Sequence, residues 1–327
     1  MLNTNYYNYL FTDYVGVGAS KGEIGIEVEV EGRGLPAAVT GWNVVPDGSL
    51  RGESAEYVLR QPVPRDKYED TLNNLRDALS SATINNSYRT SVHVHINAKD
   101  MYVRHIYNQM LIYLLFENAL SPIYGKERVG NLFCLRMRDA QQYLDTFRWV
   151  VANDHLNEMN NREMRYLGLN PVSLFAHGSL EYRHMRGTTD TDEIKAWVSM
   201  LLRMKDTARQ FDYPSTLMDY VRKVGPDFAR DIFSGDEIGR FDPDWLKTFD
   251  EGVEMANHIA YACKWEDAES FKERMNNNKG KKSKVDPFVR YMTNANVLDA
   301  WRFEPALAPL RPNPDDIDDG IFDDEEN

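Results

Sequence analysis

Three short segments place acidic, imidazole or guanidinium side chains at every second position, the spacing that puts side chains on one face of a β-strand. In the first segment, Glu27, Glu29 and Glu31 alternate with apolar residues. Carboxylates this close raise each other's pKa, and hard cations such as Mg²⁺, which prefer oxygen ligands, relieve the repulsion. Taken alone, the pattern is more typical of a strand with one solvated face.

The second segment carries His93 and His95, with Ser91 and Asn97 on the same face of the predicted strand. Two imidazoles at this spacing could bind a metal ion or a phosphate, or could donate hydrogen bonds to a developing charge. A half-buried strand with exposed histidines explains the pattern about equally well.

The third segment places Glu181 and Arg183 on one face, with Arg186 just beyond them. An ordinary ion pair is the simpler explanation. The alternative is a metal ligand beside an arginine that holds phosphate in a bidentate manner.

Two further segments carry polar residues at turns and loops. Asp47 and Ser49 belong to a Pro-Asp-Gly-Ser turn, and Glu56 lies on the strand that follows. Arg165 and Asn170 lie on a loop from which they could reach phosphate or substrate, although a purely structural role is open for both.

The polar strand faces carry more weight together than separately. If the strands are neighbours in one sheet, their polar faces merge into a charged trough, which costs stability unless metal ions and a polyanion fill it. Adjacent Mg²⁺ ions and arginines suit phosphoryl transfer, where catalysis is mostly positioning and neutralisation of charge.

The elements that must position these residues indicate an α+β fold with a β-rich first half and a helical second half. Alternation predicts strands at 23–31, 39–45, 55–60, 90–97 and 179–185. Apolar residues at helical spacing predict helices near 68–79, 101–118, 139–159, 194–202, 215–224 and 244–263, the last continuing to about 274. Thr189 or Thr191 is the expected N-cap of the helix over 194–202.

Charge and composition exclude several classes of protein. The net charge is −13, and the eight acidic residues after Pro314 leave only −5 on the rest, so nucleic-acid binding is not expected from overall charge. No apolar run reaches the roughly 18 residues of a membrane helix. The first residues lack the pattern of a signal peptide, and Cys134 and Cys263 lack metal-ligand spacing. We therefore expect a cytoplasmic protein, in the host cytoplasm if a phage encodes it.

Six segments, in this order, resemble the amidoligase family of phages and bacteria, a distant relative of glutamine synthetase and glutamate–cysteine ligase. They are GIEVEVEG (25–32), W-x-V-x-x-DGSL (42–50), AEYVLRQPV (55–63), HVHIN (93–97), RYLGLN (165–170) and GSLEYRHMRGT (178–188). The resemblance implies a glutamine synthetase-like curved, mostly antiparallel sheet with flanking helices, followed by a helical C-terminal region.

The resemblance also implies a reaction and a set of site residues. A carboxylate attacks the γ-phosphate of ATP to give an acyl phosphate, and an amine displaces the phosphate to give an amide. Two or three Mg²⁺ ions, which Mn²⁺ could replace, are expected on Glu27, Glu29, Glu56, His93 and Glu181. ATP is expected to contact His93, His95, Asn97, Arg165 and Asn170. Catalytic roles are expected for Arg183, Arg186, Asp47 and Ser49.

One departure from the family pattern leaves open which histidine binds metal, because Ser91 and Val92 stand where the family usually has a glycine.

We predict a catalytic domain over 1–205, a helical region over 206–311 and an acidic, disordered tail over 312–327. The expected partners are a small-molecule or peptide carboxylate and an amine, with a homo-oligomer possible and no membrane. The alternatives are a metal-dependent phosphotransferase or hydrolase on the same site, and a non-catalytic binding protein that retains the fold.

Overall fold

A computed structural model of the chain describes residues 10–11 and 22–262. The predicted tail over 312–327, Cys263, and the part of the predicted helical region that follows residue 262 lie outside the described residues. Within those ranges no helix has the length and apolar character that crossing a membrane requires.

Within the described part of the chain, seven strands form one sheet. They are β1 (Ile24–Arg33), β2 (Trp42–Val45), β3 (Ser54–Leu59), β4 (Thr83–Ile84), β5 (Ser91–Asn97), β6 (Leu169–Asn170) and β7 (Ser179–Arg186). The order across the sheet is β2-β3-β1-β5-β7-β6, β4 pairs with the end of β1, and every pairing is antiparallel. The five predicted strands and the antiparallel sheet are confirmed. Two strands, β4 and β6, were missed because two residues are too few to show a period.

The α-helices of the described residues flank this sheet and fill the second half. They are α1 (Tyr68–Leu79), α2 (Val103–Phe116), α3 (Ser121–Tyr124), α4 (Gln141–Asn153), α5 (Ser173–His177), α6 (Thr191–Ala208), α7 (Pro214–Val224), α8 (Gly235–Ile238) and α9 (Trp245–Ala260). Short 3₁₀ turns lie at 126–128, 137–139, 156–159, 162–166 and 225–231. The α+β class with a helical second half is confirmed.

The start of α6 corrects one expectation. Its N-cap is Asp190, whose carboxylate accepts hydrogen bonds from the backbone N–H groups of Asp192 and Glu193. Neither Thr189 nor Thr191 caps the helix, because Asp190 lies between them and aspartate is among the strongest N-cap residues.

One face of the sheet is apolar and is covered by helices. Ile26 on β1, Val94 on β5 and Tyr182 on β7 are at most 1% exposed. Helix α2 packs on this face: the rings of its Tyr113 and of Tyr182 lie 4.9 Å apart, and Gln109 donates a 2.6 Å hydrogen bond to the Tyr182 hydroxyl. Burial of this face holds the strands in register while the other face stays polar.

A buried lysine ties helix α6 to the sheet. Lys205 is fully buried and donates hydrogen bonds to Glu23 (3.0 Å) and Asp100 (2.8 Å). Burial raises the pKa of Glu23, but the hydrogen bonds from Arg65 and Lys205 outweigh this effect and lower it to about 2. Because Glu23 precedes β1 and Asp100 follows β5, this network fixes the ends of the two central strands.

The helical second half packs against α2 through an aromatic cluster. Phe116 is fully buried, and its ring lies between 5.1 and 6.3 Å from the rings of Phe228, Phe233, Phe241 and Phe249. These rings belong to the same apolar core as the covered face of the sheet.

We predict that Phe116→Ala lowers the free energy of unfolding by about 3–5 kcal/mol, because truncation leaves a cavity among four rings. Leu246→Ala on α9 is the control. Leu246 is 50% exposed, and its truncation should cost no more than about 0.5 kcal/mol. Urea unfolding followed by circular dichroism measures both, and similar losses in the two variants would contradict the packing described.

Candidate active site

The polar face of the sheet is built where β1 lies between β3 and β5. Across these pairings Glu27 lies opposite His93 and Glu29 lies opposite Glu56. The apolar residues between them point into the core, so the period of two turns every one of these polar side chains to the same side. Side chains that are far apart in the chain therefore meet over the two central strand pairs.

The ligand-type atoms of this face meet in three overlapping groups, and within each group they lie within 4.8 Å of one another. The groups are Glu27 with Glu56 and His93, Glu27 with His95 and Glu181, and Glu29 with Asp47 and Glu56. Glu27 and Glu56 each belong to two groups, so each could bridge neighbouring cations. Sets rich in carboxylate oxygens, with at most one imidazole, fit Mg²⁺ or Mn²⁺.

Both ring nitrogens of the buried His93 face acidic or hydroxyl oxygens. Nδ1 lies 3.0 Å from Glu27 Oε2, and Nε2 lies 2.9 Å from the Ser91 hydroxyl. Ser91 donates its own proton to Glu29 at 2.6 Å, so it accepts from Nε2. Nδ1 therefore faces the Glu27 carboxylate, and a cation bound to Glu27 would meet this nitrogen as well.

His95 presents a second imidazole to Glu27. Its Nδ1 lies 3.1 Å from the hydroxyls of both Ser173 and Ser179, which orient the ring. Its Nε2 is buried, lies 3.3 Å from Glu27 Oε1 and makes no hydrogen bond within the described residues. Burial lowers the pKa of His95, but the carboxylates of Glu27 and Glu181 outweigh burial and raise it. Nε2 and the carboxylates of Glu27 and Glu181 thus form one group of ligand-type atoms, which a cation could hold once the ring is neutral.

Glu181 is held in place and kept ionised by its neighbours. Asn170 donates a 2.6 Å hydrogen bond to Oε2, and the Arg183 guanidinium pairs with Oε1. Burial raises the pKa of Glu181, but Arg183, His95 and His93 outweigh it and the pKa is lowered. Asn170, predicted to contact nucleotide, here orients a carboxylate.

The remaining carboxylates have the opposite shift. Burial, followed by the charges of Glu27 and Glu29, raises the pKa of Glu56 to about 8. Burial also raises the pKa of Glu29. Glu27 differs because its contacts with the imidazoles of His93 and His95 outweigh burial and hold its pKa well below the usual range. Without cations, this cluster holds protons that a divalent ion would displace.

The Asp47 turn delivers another carboxylate to the cluster. Asp47 Oδ1 accepts a 2.7 Å hydrogen bond from the Ser49 backbone N–H, and the Ser49 carbonyl accepts one from Arg89. This turn chemistry is local, yet it places the Asp47 carboxylate within reach of Glu29 and Glu56. The structure thus groups Asp47 with the metal-type ligands, while Ser49 shapes the turn.

A cavity of about 430 Å³ opens at one end of the polar face, where β1 begins and β5 ends. Glu27, His95, Asn97, Lys99 and His177 line it, together with other residues at the start of β1, at the end of β3 and in the segment that follows β3. The cavity therefore adjoins two of the three ligand groups.

Gly25 keeps that end of the face open. It lies opposite His95, and a Cβ at this position would lie 3.2 Å from the Cβ of His95. A larger residue would crowd the imidazole and fill part of the cavity.

Two predicted site residues make their contacts elsewhere. Arg186 donates to both carboxylate oxygens of Glu193 at 2.6 and 2.7 Å and to the Ile123 carbonyl. Arg165 donates a 2.5 Å hydrogen bond to the Tyr166 hydroxyl and lies over its ring. Neither guanidinium contacts a residue of the three ligand groups, and the contacts of both arginines are of the kind that structural residues make.

Sequence reasoning missed Ser173 and Ser179 as partners of His95. Ser179 lies two residues before Glu181 on β7, so the period of two could have identified it. Ser173 belongs to the five-residue helix α5 and had no such signal.

We predict that the metal-free protein loses stability as the pH rises from about 4.5 to about 8. In this window folded Glu56 keeps a proton that the unfolded chain has released, so deprotonation favours unfolding. Glu56→Gln removes this contribution, so the melting temperature of the variant relative to that of wild type should increase as the pH rises. Melting temperatures measured with a chelator at pH 5 and pH 9 test this increase. The exposed Glu254→Gln should follow wild type, and parallel wild-type and Glu56→Gln profiles would contradict the prediction.

Comparison with known proteins supplies the family. No curated protein matches the chain. A family model described as "Putative amidoligase enzyme" matches residues 37–205, just over half of the chain, and covers every strand of the sheet except β1, which carries Glu27 and Glu29. The cluster of carboxylates and histidines and the family match therefore converge, and the chain belongs to the amidoligase family.

Proposed function

We propose that this protein is an ATP- and Mg²⁺-dependent ligase that joins a carboxylate to an amine through an acyl phosphate. The observation that carries the proposal is the set of three overlapping ligand groups beside a cavity of about 430 Å³. The amidoligase family match supports amide formation as the reaction type.

In this proposal the three ligand groups coordinate the metal ions. Glu27, Glu29, Glu56, Asp47 and Glu181 supply carboxylate oxygens, and His93 and His95 supply imidazole nitrogens. Bound Mg²⁺ would neutralise the charge that phosphates bring and act as a Lewis acid on the transferred phosphoryl group. Without a cation, five carboxylates would face a polyanionic substrate with Arg183 as their only guanidinium partner among residues 22–262.

The nucleotide belongs in the cavity at the start of β1. Lys99 and His177 offer nitrogen donors there, and Asn97 offers an amide. The triphosphate would then point along the face toward Glu27 and His95, where the ligand groups begin.

Arg183 is the residue we propose for charge stabilisation. Its guanidinium pairs with Glu181 and also donates to the Phe133 carbonyl at 3.4 Å, which fixes its direction. A guanidinium held at the border of the ligand groups can donate to phosphoryl oxygens as their charge develops.

The proposed reaction has two steps. A carboxylate oxygen attacks the γ-phosphorus, the bond to the β-phosphate oxygen breaks, and ADP leaves. The amine nitrogen then attacks the acyl carbon, the carbon–oxygen bond to phosphate breaks, and the ammonium proton is lost. The products are an amide, ADP, phosphate and one proton, and the oxygen lost by the carboxylate leaves in the phosphate.

We predict a rise in melting temperature of about 5–10 °C when Mg²⁺ and a non-hydrolysable ATP analogue are both present at about 100 times their dissociation constants. Glu27→Gln and Glu181→Gln should abolish the rise, because each removes a ligand shared with a histidine. Glu237→Gln is the control: Glu237 pairs with Arg203 at 2.7 Å outside the cluster, and the variant should keep the rise.

Loss of the rise in the control variant, or its absence in wild type, would overturn the site. Hydroxylamine then tests the chemistry by trapping the acyl phosphate as a hydroxamate across a panel of carboxylates. Phosphate release that needs no carboxylate and yields no hydroxamate would instead establish the hydrolase alternative.

We also predict different outcomes for the two arginines of β7. Arg183→Lys should lower ATP cleavage by about 10²-fold, because an ammonium cannot replace the fork of a guanidinium. Arg186→Lys alters an ion pair with Glu193 that lies outside the three ligand groups, and it should keep ATP cleavage within about threefold. Rates of ADP formation measure both, and an equal loss would restore Arg186 to the catalytic set.

A further inference from the structure

The polar face has a second end, opposite the cavity. The cavity lies where Ile24 pairs with Ile96, and the antiparallel register carries the face to Glu31, which pairs with Ser54. At that far end β3 and β5 begin and β7 ends. If nucleotide enters by the cavity, the far end is left for the other substrates.

Exposed apolar side chains concentrate at this far end. Tyr88 (62% exposed), Val129 (39%), Leu132 (74%) and Phe133 (42%) lie on two loops, one before β5 and one after α3. They are four of the seven large apolar residues exposed within residues 10–11 and 22–262. We call these four residues the apolar rim. Exposed apolar residues that cluster on neighbouring loops mark binding sites more often than single exposed residues do.

The two loops of the apolar rim are joined to each other. The Tyr88 carbonyl accepts hydrogen bonds from Asn131 (3.1 Å) and from the buried Arg128 (3.2 Å). Arg128 also donates to the Arg183 carbonyl, and Arg183 donates to the Phe133 carbonyl at 3.4 Å. One guanidinium, that of Arg183, therefore separates the backbone of the rim from the Glu181 carboxylate, and the rim borders the ligand groups.

Within the described ranges, three guanidinium groups at this end are free of ion pairs, although the carboxylates of Glu29, Glu31 and Asp47 lie on the same part of the face. Arg51, Arg89 and Arg128 donate to backbone carbonyls, and no carboxylate pairs with their guanidinium groups in the part of the chain that the structure describes. Arg128 is 1% exposed, and its Nε makes no hydrogen bond within that part. Arg51 is exposed and Arg89 half-buried, so these two guanidinium groups are the ones that the carboxylate of an arriving substrate could reach.

We propose that the carboxylate substrate is a polypeptide whose apolar side chains dock on the apolar rim beside the reacting carboxylate. This inference rests on the proposed ligase function. A free amino acid bound near the ligand groups would leave the rim in water. A peptide would cover the apolar rim with its side chains and place its carboxylate near the arginines. The rim and the arginines would then each bind a different part of the same substrate.

The test measures binding of two fluorescent tetrapeptides with free C-terminal carboxylates and equal charge, one built from Leu and Phe and one from Ser and Gly. Anisotropy is followed with Mg²⁺ and the non-hydrolysable ATP analogue. The apolar peptide should bind at least about tenfold more tightly. The double variant Leu132→Ser/Phe133→Ser should lose about tenfold in affinity for it. Tyr88→Ser, on the other loop, should also weaken it.

Leu246→Ser is the matched control, because Leu246 is 50% exposed on α9, and it should bind the apolar peptide as wild type does. Equal affinity for the two peptides, or unchanged affinity in the rim variants, would overturn the inference. So would a dimer in wild type that the double variant dissolves, since a second copy would then cover the rim.

The two proposals fail separately. If the rim variants lose peptide binding but no carboxylate supports ATP cleavage, docking stands and the ligase function falls. If free amino acids support hydroxamate formation as well as the apolar peptide does, the ligase function stands and the polypeptide inference falls.

Discussion

Repulsion between carboxylates at fixed spacing is the constraint on which this structure depends. Glu27, Glu29 and Glu56 lie on two hydrogen-bonded strands, so the backbone ladder prevents them from moving apart. The protein offsets this cost with two imidazoles, one guanidinium and protons on carboxyl groups whose pKa is raised. Each of these is a weak substitute for a divalent cation, and the cluster is therefore suited to bind one.

The opposite face of the sheet makes that arrangement possible. Apolar residues of β1, β5 and β7 are buried under helices α2 and α6. The free energy gained by this burial offsets the cost of holding the carboxylates of the polar face close together. The aromatic cluster around Phe116 joins the helical second half to the same core. Lys205 reinforces it by bonding groups that flank β1 and β5. The helices thus hold the strands that carry the ligands.

The geometry of an antiparallel sheet also gives the polar face two ends with different chemistry. The cavity end offers Lys99, His177 and the open space at Gly25. The far end offers unpaired arginines and the apolar rim. Because the ligand groups lie between them, substrates that enter from opposite ends would meet over the metal-type ligands. Such an arrangement suits a phosphoryl transfer followed by attack of an amine on the same acyl carbon.

The sequence by itself determined the strands, their polar faces and most of the acidic cluster, because a period of two is local and can be read from neighbouring residues. Only the tertiary structure decided which faces meet. Glu27 and His93 lie 66 positions apart, and their contact depends on strand order and register. The same reason explains why Arg186 pairs with Glu193 on α6 and why Ser173 orients His95. Alternation assigns a face to a side chain, while partners on other elements are selected by packing.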